Sequence, residues 1–228
     1  MKKLIVAAFA VTAALGVLAQ GTVTFVGNSP VGTAHVWGPS SSALGLSIIG
    51  NASNDNPAGT NNYSGYGMTM IGGTGLTGKY GASTTFAQLL AANGAGQSET
   101  SLLPSGGTTT FRSSSSGGAP AGIIVSLNDT LGNVPADSPA ATLEVVAWDN
   151  SSGAYPTWAS ASTAWNEGLI AGGKSGAFTV NNIGGTVNNP ANFTFSSFNL
   201  YFQQVPEPTT FALAGLGAAA LLIFRRRK

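Results

Sequence analysis

The chain contains no cysteine. This excludes disulfides, thiolate metal and iron–sulfur sites, a thiol nucleophile, and a lipid anchor on an N-terminal cysteine. Charge is nearly as scarce. Asp, Glu, Lys and Arg make up 7% of the residues, against roughly 25% in an ordinary soluble domain. His35 is the one histidine. Chemistry that needs several titratable groups in one place has little to draw on.

The few charges are also segregated. Lys2, Lys3, Arg225, Arg226, Arg227 and Lys228 stand at the two ends. Between Gln20 and Gln204, Lys79, Arg112 and Lys174 face Asp55, Glu99, Asp129, Asp137, Glu144, Asp149 and Glu167, a net charge of −4. Such a body cannot neutralise many phosphates, so nucleic acid is not an expected partner. What the 228 residues do hold is 32 glycines, abundant Ser, Thr and Asn, and 43% hydrophobic residues. That is enough apolar surface to build a core rather than remain disordered.

The first segment, Met1-Lys2-Lys3 followed by an apolar run to Leu18, reads as a secretory signal peptide. The small-residue exit places cleavage between Ala19 and Gln20, which makes signal peptidase and the secretion machinery expected partners. A retained membrane helix fits less well, because the run is short.

At the other end, Val205-Pro206-Glu207-Pro208-Thr209-Thr210 precedes an apolar run from Phe211 to Phe224 and then Arg225-Arg226-Arg227-Lys228. A helix of that apolar length covers about 21 Å, short of the roughly 30 Å hydrocarbon core. Local thinning and snorkelling arginines allow it to span. The basic cluster then stays cytoplasmic as a membrane stop, with the body on the far side. Pro206 and Pro208 hold the strip before the membrane extended. A GPI-type signal is disfavoured, since such tails end apolar.

These three parts, in this order, resemble the PEP-CTERM sorting signal of Gram-negative bacteria. The same segment is also known as an ice-binding protein C-terminus, a label that describes the tail and says nothing of ice binding by the body. The resemblance implies that Pro206, Glu207 and Pro208 are recognised by exosortase, an inner-membrane cysteine transpeptidase-like enzyme. It also implies an inner-membrane-anchored precursor, then residence at the cell surface or outside the cell. The expected organisation is a signal peptide over 1–19, an exported domain over 20–204 and a sorting tail over 205–228. Within the tail, 206–208 is the motif, 209–224 the transmembrane helix and 225–228 the stop.

Within the body, short apolar or alternating runs are punctuated by Gly, Pro, Asn and Ser. Strands are expected at 22–26, 33–37, 44–49, 67–71, 108–112, 122–127, 142–148, 177–180 and 192–202. The pattern predicts an all-β fold: a single β-sandwich or jelly-roll-like domain with one or two short helices. In the run Thr142–Trp148, Leu143, Val145 and Ala147 share one face, and Glu144, Val146 and Trp148 the other. One helix is expected over Phe86–Ala92, capped by Thr85 and Gln88. A second is expected after Pro156, on the spacing of Trp158, Ala161, Ser162, Trp165 and Leu169. Residues 51–62 and 113–118 read as loops. The segments Gln20–Phe25, Val145–Asp149 and Gly173–Val180 are similar to segments of other short PEP-CTERM proteins, a looser match that brings no activity with it.

No catalytic residue is expected, and no metal or cofactor. His35 lacks a serine in a G-x-S-x-G elbow, and an exposed or edge-strand position is its expected place. Glu144 and Asp149, five apart, fall on opposite faces of a strand, where a glycosidase needs two carboxylates across a cleft. Glu144 is expected on the solvent face, and Asp149 with Asn150 at a turn. Asn54-Asp55-Asn56 offers calcium ligands but no EF-hand pattern. The expected body is therefore a non-enzymatic component of the cell surface or extracellular matrix. The alternative is a glycan-binding module with exposed tryptophans among Trp37, Trp148, Trp158 and Trp165, and an exopolysaccharide as candidate partner.

Overall fold

The structure is a computed structural model that describes residues 19–114 and 121–204. The expected signal segment up to Leu18 lies outside the described residues. So do the motif residues Pro206, Glu207 and Pro208, the expected membrane helix 209–224, and the basic stop Arg225, Arg226, Arg227 and Lys228.

Among the described residues the body is mostly β, with one short α-helix. Its centre is the strand β8 (Ala140–Asp149), which alternates as its sequence requires. Leu143, Val145 and Ala147 join one core cluster, and Val146 and Trp148 join another on the opposite face. From Ala141 to Asp149 β8 pairs antiparallel with β5 (Thr85–Asn93). The order in this sheet is β10 (Phe178–Asn181), β8, β5, β6 (Leu103–Thr109), with β9 (Gly172–Lys174) also on β8. A second sheet has the order β11 (Ala191–Asn192), β1 (Gln20–Phe25), β7 (Leu127–Pro135). The two sheets share one core, in which Val23, Phe25, Leu131 and Val134 meet Leu89, Leu143 and Val145.

The expected helix over Phe86–Ala92 is instead β5. Ala, Leu and Gln favour a helix by only a few tenths of a kcal/mol each. Against that stands burial on two faces, with Ala87, Leu89 and Ala91 in the central core and Leu90 beneath the outer layer. Burying a leucine side chain alone is worth about 1.5–3 kcal/mol, so pairing with β8 wins. The second expected helix is present as α1 (Trp158–Asn166). It opens on a capping box between Thr157 and Ser160, and Gly168 at φ 70° lies just past its end.

Several expected strands are shorter than their patterns suggest. The run 33–37 splits into β3 (Gly32–Thr33), which pairs with β2 (Asn28–Ser29), and β4 (Val36–Trp37). The runs 44–49 and 67–71 reduce to the bridges Ile49 to Phe198 and Met70 to Trp37. The run 108–112 overlaps the end of β6 and adds a bridge from Phe111 to Ile124 in the run 122–127, whose last residue, Leu127, opens β7 (Leu127–Pro135). The last run holds only β11 and β12 (Phe198–Asn199). Even so Phe193, Phe195 and Ser197 are buried, as their alternation requires.

Asp137 organises the loop that follows β10. Its carboxylate accepts from Thr186 Oγ1 at 2.6 Å, and from the amides of Asn188 at 2.8 Å, Val187 at 3.1 Å and Thr186 at 3.0 Å. These bonds favour the charged form, the Thr186 hydroxyl most, and push the carboxyl down from 3.8 to about 2. A lowered carboxyl pKa stabilises the fold above the unfolded value and ceases to do so as pH falls through the folded one. The 183–188 loop is therefore expected to stay ordered at pH 4 and to loosen between about pH 4 and 2. NMR amide shifts of Val187 and Asn188 should titrate near 2. A midpoint at the ordinary 3.8 would contradict the assignment.

Candidate functional site

α1 lies on the outer face of the β8 sheet, and the local sequence fixes it there. The Trp158 amide donates to Gln88 Oε1 at 3.1 Å, tying the first turn to β5. Trp158, Ala161, Ala164 and Trp165 point into the sheet. The ring centroids of Trp148 and Trp158 are 5.7 Å apart, those of Trp158 and Trp165 5.5 Å, and those of Trp165 and Tyr201 5.2 Å. The indole N–H of Trp148 donates to the Tyr155 carbonyl at 2.7 Å, and that of Trp165 to the Tyr201 carbonyl at 2.9 Å. The approach needs glycine: a Cβ on Gly172 would lie 2.9 Å from the Trp165 ring, and one on the neighbouring Gly173 would run into the Asn199 carbonyl oxygen.

The four tryptophans are buried, Trp37 at 7% exposure, Trp148 at 0%, Trp158 at 5% and Trp165 at 4%. The alternative reading, which needed an exposed tryptophan platform, therefore lacks its platform. The rings build core, where aromatic area stabilises most.

Beside the end of this aromatic row is a cavity of about 380 Å³. Trp165 and Tyr201 form its apolar wall, and Glu99, Asn166, Lys174 and Gln203 supply polar groups. Behind Lys174 lies Glu144. The solvent-face expectation for Glu144 is wrong, because its residue exposure is 0%. α1 and the segment around Leu102 cover the face it shares with Val146 and Trp148. Among the described residues neither carboxylate oxygen has a hydrogen-bond donor. Lys174 Nζ lies 3.3 Å from Glu144 Oε2, an ion pair off the hydrogen-bond direction, and 3.8 Å from Glu99 Oε2. Burial raises the Glu144 carboxyl above its ordinary range; Lys174 pulls it back, and the Glu99 charge pushes it further up. Two carboxylates thus flank one ammonium, but a substrate cannot touch a fully buried Glu144.

The exposed or edge-strand expectation for His35 is also wrong. The residue is buried, with Nδ1 2.5 Å from Asp55 Oδ1. Asp55 Oδ2 accepts from the Ser197 hydroxyl at 2.7 Å and from the Ala52 amide at 2.5 Å, and the His35 amide donates to Ser197 Oγ at 2.8 Å. His, Asp and Ser therefore meet, but the serine proton goes to the aspartate and the imidazole does not touch the hydroxyl. That arrangement ties three chain segments together and does not activate a nucleophile. It also saturates the Asp55 carboxylate, which had been a candidate calcium ligand. Asp149 takes its expected place at a turn, with Oδ1 accepting from the Ser151 amide at 3.0 Å. Glu167 is exposed at the end of α1.

Of the signal-cleavage residues, Ala19 and Gln20 are both exposed at the start of the described chain, and Gln20 opens β1. At the opposite end, the Phe202 amide donates to the Leu44 carbonyl at 2.9 Å. Pro206 follows four residues later, within about 14 Å of extended chain.

The family model described as the PEP-CTERM protein-sorting motif matches residues 204–228. No curated protein and no solved structure matches the chain. The chain carries a PEP-CTERM sorting motif, the class of signal recognised by the membrane enzyme exosortase. It is accordingly an exported protein of the cell envelope or surface. Among the described residues no helix is long and apolar enough to cross a membrane.

Proposed function

We propose that the chain is made as an inner-membrane-anchored precursor with its body outside the cytoplasm. Exosortase recognises Pro206, Glu207 and Pro208 and separates the body from its tail. The body then serves, without catalysis, as a component of the cell surface or extracellular matrix. The observation that carries this reading is the sorting-motif match over 204–228, in which motif, apolar segment and basic end follow in order. Two features of the body support its catalytic silence. The Ser197 hydroxyl is committed to Asp55, and Glu144 is sealed behind Lys174.

Intact-mass spectrometry of protein recovered from membrane and medium fractions tests the reading. The expected species begins at Gln20 in both fractions, and in the medium it lacks the segment after the motif. Medium protein that keeps the basic end Arg225–Lys228 would refute processing at the motif.

A further inference from the structure

The cavity beside α1 has the chemistry of a binding site, and we infer that it holds a neutral saccharide. This is independent of the sorting reading, which concerns the tail alone. The cavity's volume of about 380 Å³ falls within the roughly 300–1,000 Å³ of small-molecule sites. Its surroundings choose the ligand class. Glu99, Asn166, Lys174 and Gln203 present donors and acceptors, so an apolar ligand would strand them without partners. Two carboxylates around one ammonium, in a body of net charge −4, repel an anion. A neutral ligand rich in hydroxyls, with a small apolar edge to set against the half-buried Tyr201 ring, remains.

Glu144 supplies an independent observation. A fully buried carboxylate without a hydrogen-bond donor is a standing cost to the fold. Its one partner among the described residues is the Lys174 ammonium, which it holds at the cavity wall. Lys174 and the exposed Glu99 carboxylate, 3.8 Å apart, form a donor beside an acceptor, the pairing that grips two neighbouring hydroxyls of a sugar ring. The Asn166 and Gln203 amides each donate and accept, and serve the hydroxyls farther along. Lys174 is a positioned binding group, and Glu144 acts through it.

The full-length chain in detergent micelles is titrated with cello-, xylo-, manno- and chitohexaose and with a galacturonate hexamer, followed by tryptophan fluorescence and calorimetry. Trp158 and Trp165 beside the cavity are the reporters. At least one neutral hexasaccharide is expected to bind with a dissociation constant of about 1 mM or below. The acidic hexamer should bind at least about tenfold more weakly. Glu99→Ala and Asn166→Ala, both at exposed positions that leave the core intact, should each weaken binding about tenfold. Lys79→Met, outside this cavity, should leave binding unchanged. Absence of neutral-sugar binding at about 10 mM overturns the proposal. So does a preference for the acidic hexamer, or binding that survives both cavity substitutions.

Discussion

Replacing Glu207 by Ala is expected to abolish removal of the tail while leaving export and membrane retention intact. The substitution keeps the apolar run Phe211–Phe224 and the four terminal bases, so the elements that hold the chain in the bilayer are unaltered. It removes the one charged group between two prolines, which is what a processing enzyme has to distinguish this strip from any other extended segment. The remaining parts of the tail should fail differently. Neutralising Arg225, Arg226 and Arg227 takes away the topological stop, and uncut protein should appear free in the periplasm. A lysine at Leu216 costs about 2.5–3.5 kcal/mol near the centre of a span, a large loss for so short an apolar run, and should also release uncut protein. Tail-specific immunoblots of membrane and soluble fractions, in a host that carries the enzyme, separate the three outcomes. A Glu207→Ala variant that loses its tail as fast as the parent would show that the motif is not the signal. The body ends close to the motif, with Phe202 still bonded to Leu44.

The sequence made the tail legible because its three parts act through composition and order, which need no tertiary contact to be read. The all-β class was legible for a similar reason. The alternation of β8 shows in its side chains, and turn residues bound the short runs around it. β5 was not legible, since Phe86–Ala92 is apolar on both faces and so carries neither a strand nor a helix period. β7 was missed because only Asp129, Leu131 and Val134 of its nine residues are buried, and Asn-Asp and Gly-Asn pairs inside it imitate turns. The misplacement of Glu144 was avoidable. Val146 and Trp148 share its face, and two such residues mark that face as covered. A buried acid in a body with three bases must find one of them, and Lys174 was among the few choices. The link between His35 and Asp55 had no such signal, because Asn54-Asp55-Asn56 reads equally well as a local turn.

Replacing Lys174 by Met is expected to destabilise the body by about 3 kcal/mol near neutral pH, and by much less at pH 4. Without its ammonium partner, a Glu144 carboxylate would be buried unpaired, which costs more than taking up a proton. Protonation therefore caps the penalty. At about 1.36 kcal/mol per pH unit between the ordinary 4.5 and pH 7, the cap is roughly 3.4 kcal/mol. The sign follows from the raised carboxyl pKa. Below the unfolded value both states hold the proton and nothing is lost. As pH climbs from 4.5 toward the folded value, the unfolded chain releases its proton first and the fold loses stability. The parent shows a shallow version of this slope, because Lys174 opposes the shift; the variant shows the full one. Glu144→Gln in the same chain removes the ionisation and with it the slope. The double variant should therefore lose the pH dependence and regain the part of the neutral-pH loss that exceeds the cost of an amide without hydrogen-bond partners, about 1–3 kcal/mol. Urea denaturation of the full-length chain at pH 4, 5, 6 and 7 reads the parent and both variants. A Lys174→Met penalty that is constant with pH would mean that the lysine acts through packing of its stem and not through its charge on Glu144.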